Sequence, residues 1–299
     1  MVRLMKKPKR DSRRSLRKLL QGKDPILVPG AYDAMSALLI QDAGFDVVFM
    51  TGFGTSASQL GQPDVGLLTM PEMLLNAKRI VQAVDVPVIA DGDTGYGNPL
   101  NVIRTVTEYE GAGVSAIQLE DQVSPKKCGH MEGKQVIPAE EMAKKISAAV
   151  DARISDDFMI IARTDARAVE GIDAAIERVG IYKKAGADIL FVEAPQSVAE
   201  IRKIGAAFSG TPLLFNWLEG GKTPPVSYDF LRTNGFKIIF FPLCTIFAAN
   251  KAIREMLAGI KKNGTPEKVM NMFPTFDEFT DIVGLPQIKQ LEKRYKTLE

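Results

Sequence analysis

The chain has 299 residues, 45% hydrophobic and 25% charged, an ordinary globular composition that excludes disordered, collagen-like and disulfide-scaffold classes. Lys and Arg number 38 against 36 Asp and Glu, so the net charge of +2 supplies no global field, and nucleic acid is not an expected partner. A single histidine, His130, excludes zinc sites built on several imidazoles and any Ser/His triad that does not use it, which leaves chemistry to carboxylates, lysines, arginines and two cysteines.

The amino terminus is the one compositional anomaly. Residues 1–18 hold nine Lys or Arg and one Asp, a local balance of +8 that leaves the rest of the chain at −6. Residues 1–11 read as a basic, solvated arm leading into a helix from Ser12 to Gln21; a nucleic-acid arm and a targeting segment are the alternatives. No run of 18 apolar residues occurs, and the first 20 residues lack the apolar region of a signal peptide. Cys128 and Cys244 show no metal or redox spacing. Together these features predict a reduced, cytoplasmic protein with no membrane partner.

Short β-branched runs then recur, bounded by Gly, Pro or Asp: Ile26 to Val28, Val47 to Met50, Val86 to Ala90, Ala116 to Leu119, Phe158 to Ala162, Ile189 to Val192, Pro212 to Phe215 and Lys237 to Phe241. They are continuously apolar, as parallel strands covered on both faces require. Amphipathic segments alternate with them: Ala34 to Ala43, Met70 to Val84, Leu100 to Ala112, Ala139 to Ala152, Ile172 to Ala185 and Val198 to Ala206. Asp42-Ala-Gly-Phe-Asp46, Glu110-Gly-Ala-Gly-Val114 and Lys184-Ala-Gly-Ala-Asp188 repeat one helix-to-strand connection with Gly near the helix C-cap. Eight βα units predict a single (β/α)8 TIM-type barrel over residues 1–299. The rival doubly wound sheet needs a nucleotide loop. Gly52-Phe-Gly54 and Gly95-Tyr-Gly97 lack the third glycine and read as close-approach turns. Residues 245–299, beginning with a helix from Thr245 to Lys262, form a helical extension that packs on another subunit or closes the barrel base.

In a barrel, residues just after the strands meet at the C-terminal rim. Those positions hold Thr51 and Gly52, Asp91 and Asp93, Glu120 and Asp121, Arg163 and Asp165, Glu193, and Asn216 with Glu219. Asp91 and Asp93, two apart, point to one side if the chain there is extended, and can share a cation. Oxygen ligands without neighbouring imidazole or thiolate favour Mg2+, or Mn2+, with Glu120 and Glu193 placed to hold its waters. Such an ion suits a chelating α-keto or α-hydroxy acid. The segment Ser124-Pro-Lys-Lys-Cys-Gly-His130 lies in a long loop suited to a lid. Lys126, Lys127 and His130 are expected to surround Cys128 with positive charge and lower its pKa. Cys244 reads as a small buried hydrophobe.

Glu120-Asp-Gln and Lys126-Lys-Cys-Gly-His130 resemble the isocitrate lyase and phosphoenolpyruvate mutase superfamily. So do Asp91-Gly-Asp-Thr-Gly-Tyr-Gly97, Ala162-Arg-Thr-Asp-Ala-Arg167, Phe191-Val-Glu-Ala-Pro195 and Asn216-Trp-Leu-Glu-Gly-Gly-Lys-Thr-Pro224, the likeness running over residues 15–295. The resemblance implies a barrel whose last helix is exchanged between subunits of a homotetramer, with a mobile loop gating a Mg2+ site. It implies Asp91, Asp93 and Glu120 at the metal, the last through water, and Thr51, Gly52, Phe53 and Arg163 on the α-keto acid portion. Asp64, from a second loop, Gly129, Glu193, Asn216 and Pro242 would complete the substrate wall. Cys128, with Lys126 and His130 beside it, would be the acid that quenches the carbanion left by carbon–carbon cleavage, since members that move phosphorus generally lack this thiol.

Within the family, 2-methylisocitrate lyases carry arginines at positions that match Phe247 and Phe276 here, and loss of two guanidinium groups argues against a tricarboxylate. Oxaloacetate hydrolases typically have Ser where this chain has Pro242. The nearest likeness is to members acting on 2-substituted malates, so the expected substrate is a small dicarboxylate such as 2,3-dimethylmalate. 2-Methylisocitrate cleavage and carboxyphosphonoenolpyruvate or phosphoenolpyruvate phosphonomutase chemistry are the alternatives.

Overall fold

The computed structural model describes residues 11–296, so the basic arm, Asp11 apart, lies outside the described residues. In chain order the elements are α1 (Asp11–Leu20), β1 (Ile26–Ala31), α2 (Ala34–Asp42), β2 (Val48–Met50), α3 (Gly52–Leu60), α4 (Met70–Ala83), β3 (Val88–Asp91), α5 (Pro99–Gly111) and β4 (Ala116–Glu120). They continue with α6 (Ala139–Ala152), β5 (Met159–Thr164), α7 (Ile172–Lys184), β6 (Ile189–Val192), α8 (Val198–Ala207), β7 (Leu213–Asn216), α9 (Tyr228–Thr233), β8 (Phe236–Phe241), α10 (Cys244–Asn263), α11 (Phe276–Ile282) and α12 (Leu285–Tyr295). The eight strands pair in parallel and in sequence order, and β8 closes on β1 with Ile26 beside Ile238 and Val28 beside Phe240. This is the (β/α)8 barrel expected from the eight apolar runs.

The repeated connection forms as its glycines require. Gly44, Gly113 and Gly186 all adopt positive φ, at 86°, 94° and 105°. Each N–H bonds three residues back, and the N–H that follows each glycine bonds five back, to Ile40, Tyr109 and Tyr182. One hydrogen-bond pattern therefore turns α2, α5 and α7 into the strands that follow them. Helix starts are fixed in the same local way: Asp33 and Ser36 close a capping box on α2, and Asn98 caps α5 ahead of Pro99.

Two apolar layers result. Val28, Phe49, Ile89, Ile161, Phe191, Leu214 and Phe240 fill the barrel interior, and Leu16 and Leu20 of α1 join them from below. The outer layer lies between strands and helices and includes Met73, Ile80, Val106, Tyr109, Ile146, Val179 and Tyr182. Burying each of these large side chains contributes about 1.5–3 kcal/mol. The base is thus closed by α1 and not by the C-terminal extension, in which no residue of α10, α11 or α12 is buried.

Two helices depart from the sequence reading. Gly52-Phe-Gly54 opens α3 instead of forming a turn. Thr51 caps that helix by accepting the Gly54 N–H at 3.3 Å, and Asn76 of α4 donates to the Thr55 hydroxyl at 3.0 Å. Tertiary anchoring overrides a segment poor in helix formers. The close-approach reading holds, since a Cβ on Gly52 would lie 2.5 Å from Asp91 Oδ2. Helix α9, one and a half turns capped by Ser227, follows a proline-rich stretch that conceals it. Among the described residues, no helix is long and apolar enough to cross a membrane.

Gly30 has no room for a side chain, because a Cβ would overlap the carbonyl of Pro242, a backbone group that cannot rotate away. Gly30→Ala is expected to lower unfolding free energy by about 1–3 kcal/mol, the usual cost of overpacking, read as a lower midpoint in urea at unchanged m-value.

Candidate active site

The C-terminal ends of the strands surround one small cavity. Thr51, Phe53, Asp64, Asp91, Glu120, Lys126, Cys128, Gly129, His130, Arg163, Glu193, Asn216 and Pro242, all expected from sequence, line it. Gly52 and Asp93 stand just behind that wall, Gly52 against the Asp91 carboxylate and Asp93 against Lys126. The floor is aromatic: Phe49 stacks on Phe240 with centroids 4.0 Å apart, and the Arg163 guanidinium sits 5.4 Å above the Phe191 ring. The cavity volume is about 40 Å³, room for water but not for a dicarboxylate with the side chains arranged as they are.

Asp91 ends β3 and Asp93 lies beyond it with φ of 46°, so the chain between them is not extended. The two still meet, because the turn brings the Asp93 N–H 3.0 Å from Asp91 Oδ1. Burial, reinforced by Asp93, raises the Asp91 pKa. Burial also raises Asp93, though Lys126 works against the shift, and it raises Glu120 well above the carboxylate range despite Arg163.

Lys126 reaches down from the loop at residues 122–136. Its Nζ lies 2.6 Å from Asp64 Oδ1 and 2.7 Å from Asp93 Oδ1. Burial opposes its charge, but Asp93 and Asp64 outweigh that and hold the ammonium well above its ordinary pKa. Arg163, at the end of β5, donates Nε and Nη2 to Asp165 at 2.9 and 3.1 Å, and its Nη1 stands 3.3 Å from Glu193 Oε2. Its guanidinium is thereby oriented as a fork with one edge toward the cavity. Glu193 stays ionised: burial pushes its pKa up, and Arg163 and the His130 hydrogen bond pull it far below the ordinary value.

His130 is committed on both nitrogens. Nδ1 accepts the Lys222 N–H at 2.9 Å, so the proton resides on Nε2, which donates to Glu193 Oε1 at 3.0 Å. Asn216 donates to the same carboxylate at 3.2 Å.

The environment of Cys128 differs from the expectation. The neighbouring cations do not lower its pKa, because Lys126 is paired with acids, Lys127 donates to the Gly133 carbonyl at 3.0 Å, and His130 is bound to Glu193. Burial prevails over the His130 backbone N–H and pushes the thiol up to about 11. Both cysteines are free.

The substrate argument from Phe247 and Phe276 also needs correction. Neither lines the cavity, and Phe276, on α11, is 80% exposed, so the argument from the missing guanidinium groups gains no support within a single chain. Pro242 does line it. Two polar side chains at or beside the site escaped the sequence reading. Gln118 lines the cavity with an unpartnered buried Oε1; its place two residues before Glu120 on β4 puts both on one strand face, a signal the sequence did carry. Buried Lys134, 2.8 Å from Asp165 Oδ1, carried no local signal.

The phosphoenolpyruvate phosphomutase family model matches residues 16–261. The chain belongs to the phosphoenolpyruvate mutase/isocitrate lyase superfamily. It is 52% identical to 2,3-dimethylmalate lyase of Eubacterium barkeri over 94% of this chain and 97% of that one. The crystal structure of a 2,3-dimethylmalate lyase, described as a member of this superfamily, superposes with a TM-score of 0.90 at 38% identity, covering 95% of each chain. A phosphonopyruvate hydrolase solved with oxalate and Mg2+ superposes at 0.87 and 31% identity, over 96% of this chain and 99% of that one.

The superfamily site accommodates a divalent ion on physical grounds. Six buried carboxylates, Asp64, Asp91, Asp93, Glu120, Asp165 and Glu193, face only three buried cations, Lys126, Lys134 and Arg163. Glu120 Oε1 is buried without a partner. Among the described residues no three Asp, Glu, His or Cys side chains are grouped as metal ligands, and an ion here would draw on one or two carboxylates plus water and substrate oxygens.

A thiol titrating near 11 reacts only through its small thiolate fraction. Alkylation of Cys128 by iodoacetamide, followed by peptide mass spectrometry, should therefore keep rising about tenfold per pH unit through the alkaline range. A plateau by neutral pH would mean a lowered pKa.

Proposed function

We propose that the chain is a Mg2+-dependent carbon–carbon lyase that splits a 2-alkyl- or 2,3-dialkylmalate, such as 2,3-dimethylmalate, into a 2-keto acid and a short carboxylic acid. The observation that carries this reading is the Cys128 thiol, its pKa raised by burial, on a loop lying over a cavity lined by carboxylates and Arg163. Cleavage of a 2-hydroxy diacid removes the hydroxyl proton and breaks the C2–C3 bond, leaving its electron pair on the carboxylic acid fragment. A proton must then reach that carbon.

Of the thiol, ammonium, imidazole and guanidinium groups at the cavity, the Cys128 thiol is the donor not given to a carboxylate or carbonyl. Lys126 is held by Asp64 and Asp93, His130 by Glu193 and Lys222, and Arg163 does not release protons. Arg163, with Thr51, Gly52 and Phe53 at the start of α3, binds the keto acid portion, and Asn216, Gly129 and Pro242 bound the other side. Asp91 and Asp93 would hold Mg2+ with Glu120 acting through water, and the ion, when bound, supplies charge neutralisation for the substrate oxygens. The hydroxyl proton passes to a cavity carboxylate, and the Cys128 thiolate regains a proton afterwards.

With Mg2+ present, the protein should release pyruvate from 2,3-dimethylmalate, read by coupled NADH oxidation with lactate dehydrogenase, and chelation should abolish the signal. Cys128→Ser should lower kcat by about 10²–10⁴-fold while oxalate still binds. Pyruvate from 2-methylisocitrate alone would refute the substrate, and conversion of phosphonopyruvate seen by phosphorus NMR would move the protein to phosphoryl chemistry.

The assembly we infer is a cytoplasmic homotetramer. Residues 244–295 bury none of their side chains yet expose Phe247, Ile253, Leu257, Phe273, Phe276 and Phe279, apolar side chains that another subunit would cover. Outward-facing Leu27 of β1 is likewise left exposed. Sedimentation equilibrium should give four times the 32.7 kDa chain mass; a monomer would refute this assembly.

A further inference from the structure

Lys134 does not line the cavity, yet its side chain is only 2% exposed, and burying an ammonium is expensive unless its partners are good. It stands on the returning limb of the 122–136 loop, whose limbs are joined by a Gln122–Val136 bridge and by the Val123 N–H bonding the Gln135 carbonyl at 2.9 Å. From there Nζ turns back beneath the loop tip and donates to the Gly129 carbonyl and to Asp165 Oδ1.

Asp165 is the carboxylate that orients Arg163. Its Oδ1 accepts from both Lys134 Nζ, at 2.8 Å, and Arg163 Nη2, at 3.1 Å, while Oδ2 accepts Arg163 Nε at 2.9 Å. Asp165 itself is fixed from below, its N–H bonded to Asp121 Oδ1 at 2.9 Å, with Asp121 Oδ2 receiving the Tyr182 hydroxyl at 2.7 Å. The loop tip rests directly on this assembly: a Cβ on Gly129 would overlap Arg163 Nη2 and come within 2.6 Å of Glu193 Cγ.

We propose that Lys134 is a positioning residue that clasps the loop shut and, through Asp165, ties that closed state to the orientation of Arg163. Closure brings the Gly129 carbonyl to Nζ and carries Cys128, the preceding residue, over the cavity. Opening withdraws that carbonyl and leaves Lys134 with Asp165 alone, so delivery of the acid and presentation of the anion-binding fork change together. A lysine suits the post because a compact ammonium with three donors bridges a carbonyl and a carboxylate that face different ways.

The proposal deepens the lyase reading, but its main test does not depend on the substrate. Lys134→Met and Lys134→Gln should fold, since the clasp lies at the barrel rim. Cys128 in both should be alkylated by iodoacetamide about tenfold faster than in the parent, with Cys244 unchanged as the internal reference. Lys134→Arg should restore part of the protection. With 2,3-dimethylmalate and Mg2+, kcat should fall about tenfold or more, with a smaller change in KM. Unchanged labelling of Cys128, parallel acceleration at Cys244, or failure of both variants to fold by circular dichroism would each overturn the clasp. Absence of pyruvate from the parent enzyme would instead count against the lyase reading and leave the labelling result standing.

Discussion

The constraint on which this protein depends is the excess of buried negative charge at the mouth of its barrel. Four consecutive strands, β3 to β6, deliver Asp91, Glu120, Arg163 with Asp165 two residues on, and Glu193 into a space closed below by aromatic rings. Carboxylates so placed stay ionised only where a cation or a hydrogen-bond donor compensates them. The barrel itself contributes only Arg163 to that cavity wall. The other compensating cations, Lys126 and Lys134, stand on the 122–136 loop, so that loop supplies charge the strands themselves do not. The shortfall that remains at Asp91 and Glu120, both pushed up by burial, is where a divalent ion would act.

Most of the architecture was legible in the sequence, for reasons that are local. Eight apolar runs became eight strands, because a parallel strand buried on both faces leaves no polar alternation to disguise it. The helix-to-strand turns were legible because each needs a residue at positive φ, and Gly44, Gly113 and Gly186 announce it. Helix α3 was hidden for the opposite reason. Its glycines exist to let Asp91 and Tyr32 approach, and its helical state is held by a cap and by Asn76, a residue 21 positions from its partner Thr55.

The candidate site divides along the same line. Which residues converge was readable, because the C-terminal end of a barrel strand is a position that sequence order alone specifies. What those residues do to one another was not. Lys126, Lys127 and His130 looked like a positive field around Cys128, but each is bonded to a group far away in sequence or across the loop: Asp64, the Gly133 carbonyl and Glu193. The sign of the thiol's pKa shift therefore turns on pairings that only the folded chain displays. Lys134 is the extreme case, since nothing near it in sequence distinguishes it from a solvated lysine.

That reversal strengthens the chemical argument. A thiol with a lowered pKa would be a thiolate near neutral pH, a good nucleophile and a poor source of protons. A thiol raised to about 11 arrives protonated, and becomes a useful acid only against a strongly basic partner such as a carbanion. It is also indifferent to weaker bases in the cavity, so it would not be spent on Glu193 or on water before cleavage has occurred. On that reading, burial beneath the closed loop would do two things together: exclude bulk water that competes to protonate the fragment, and hold the thiol protonated while the loop is shut.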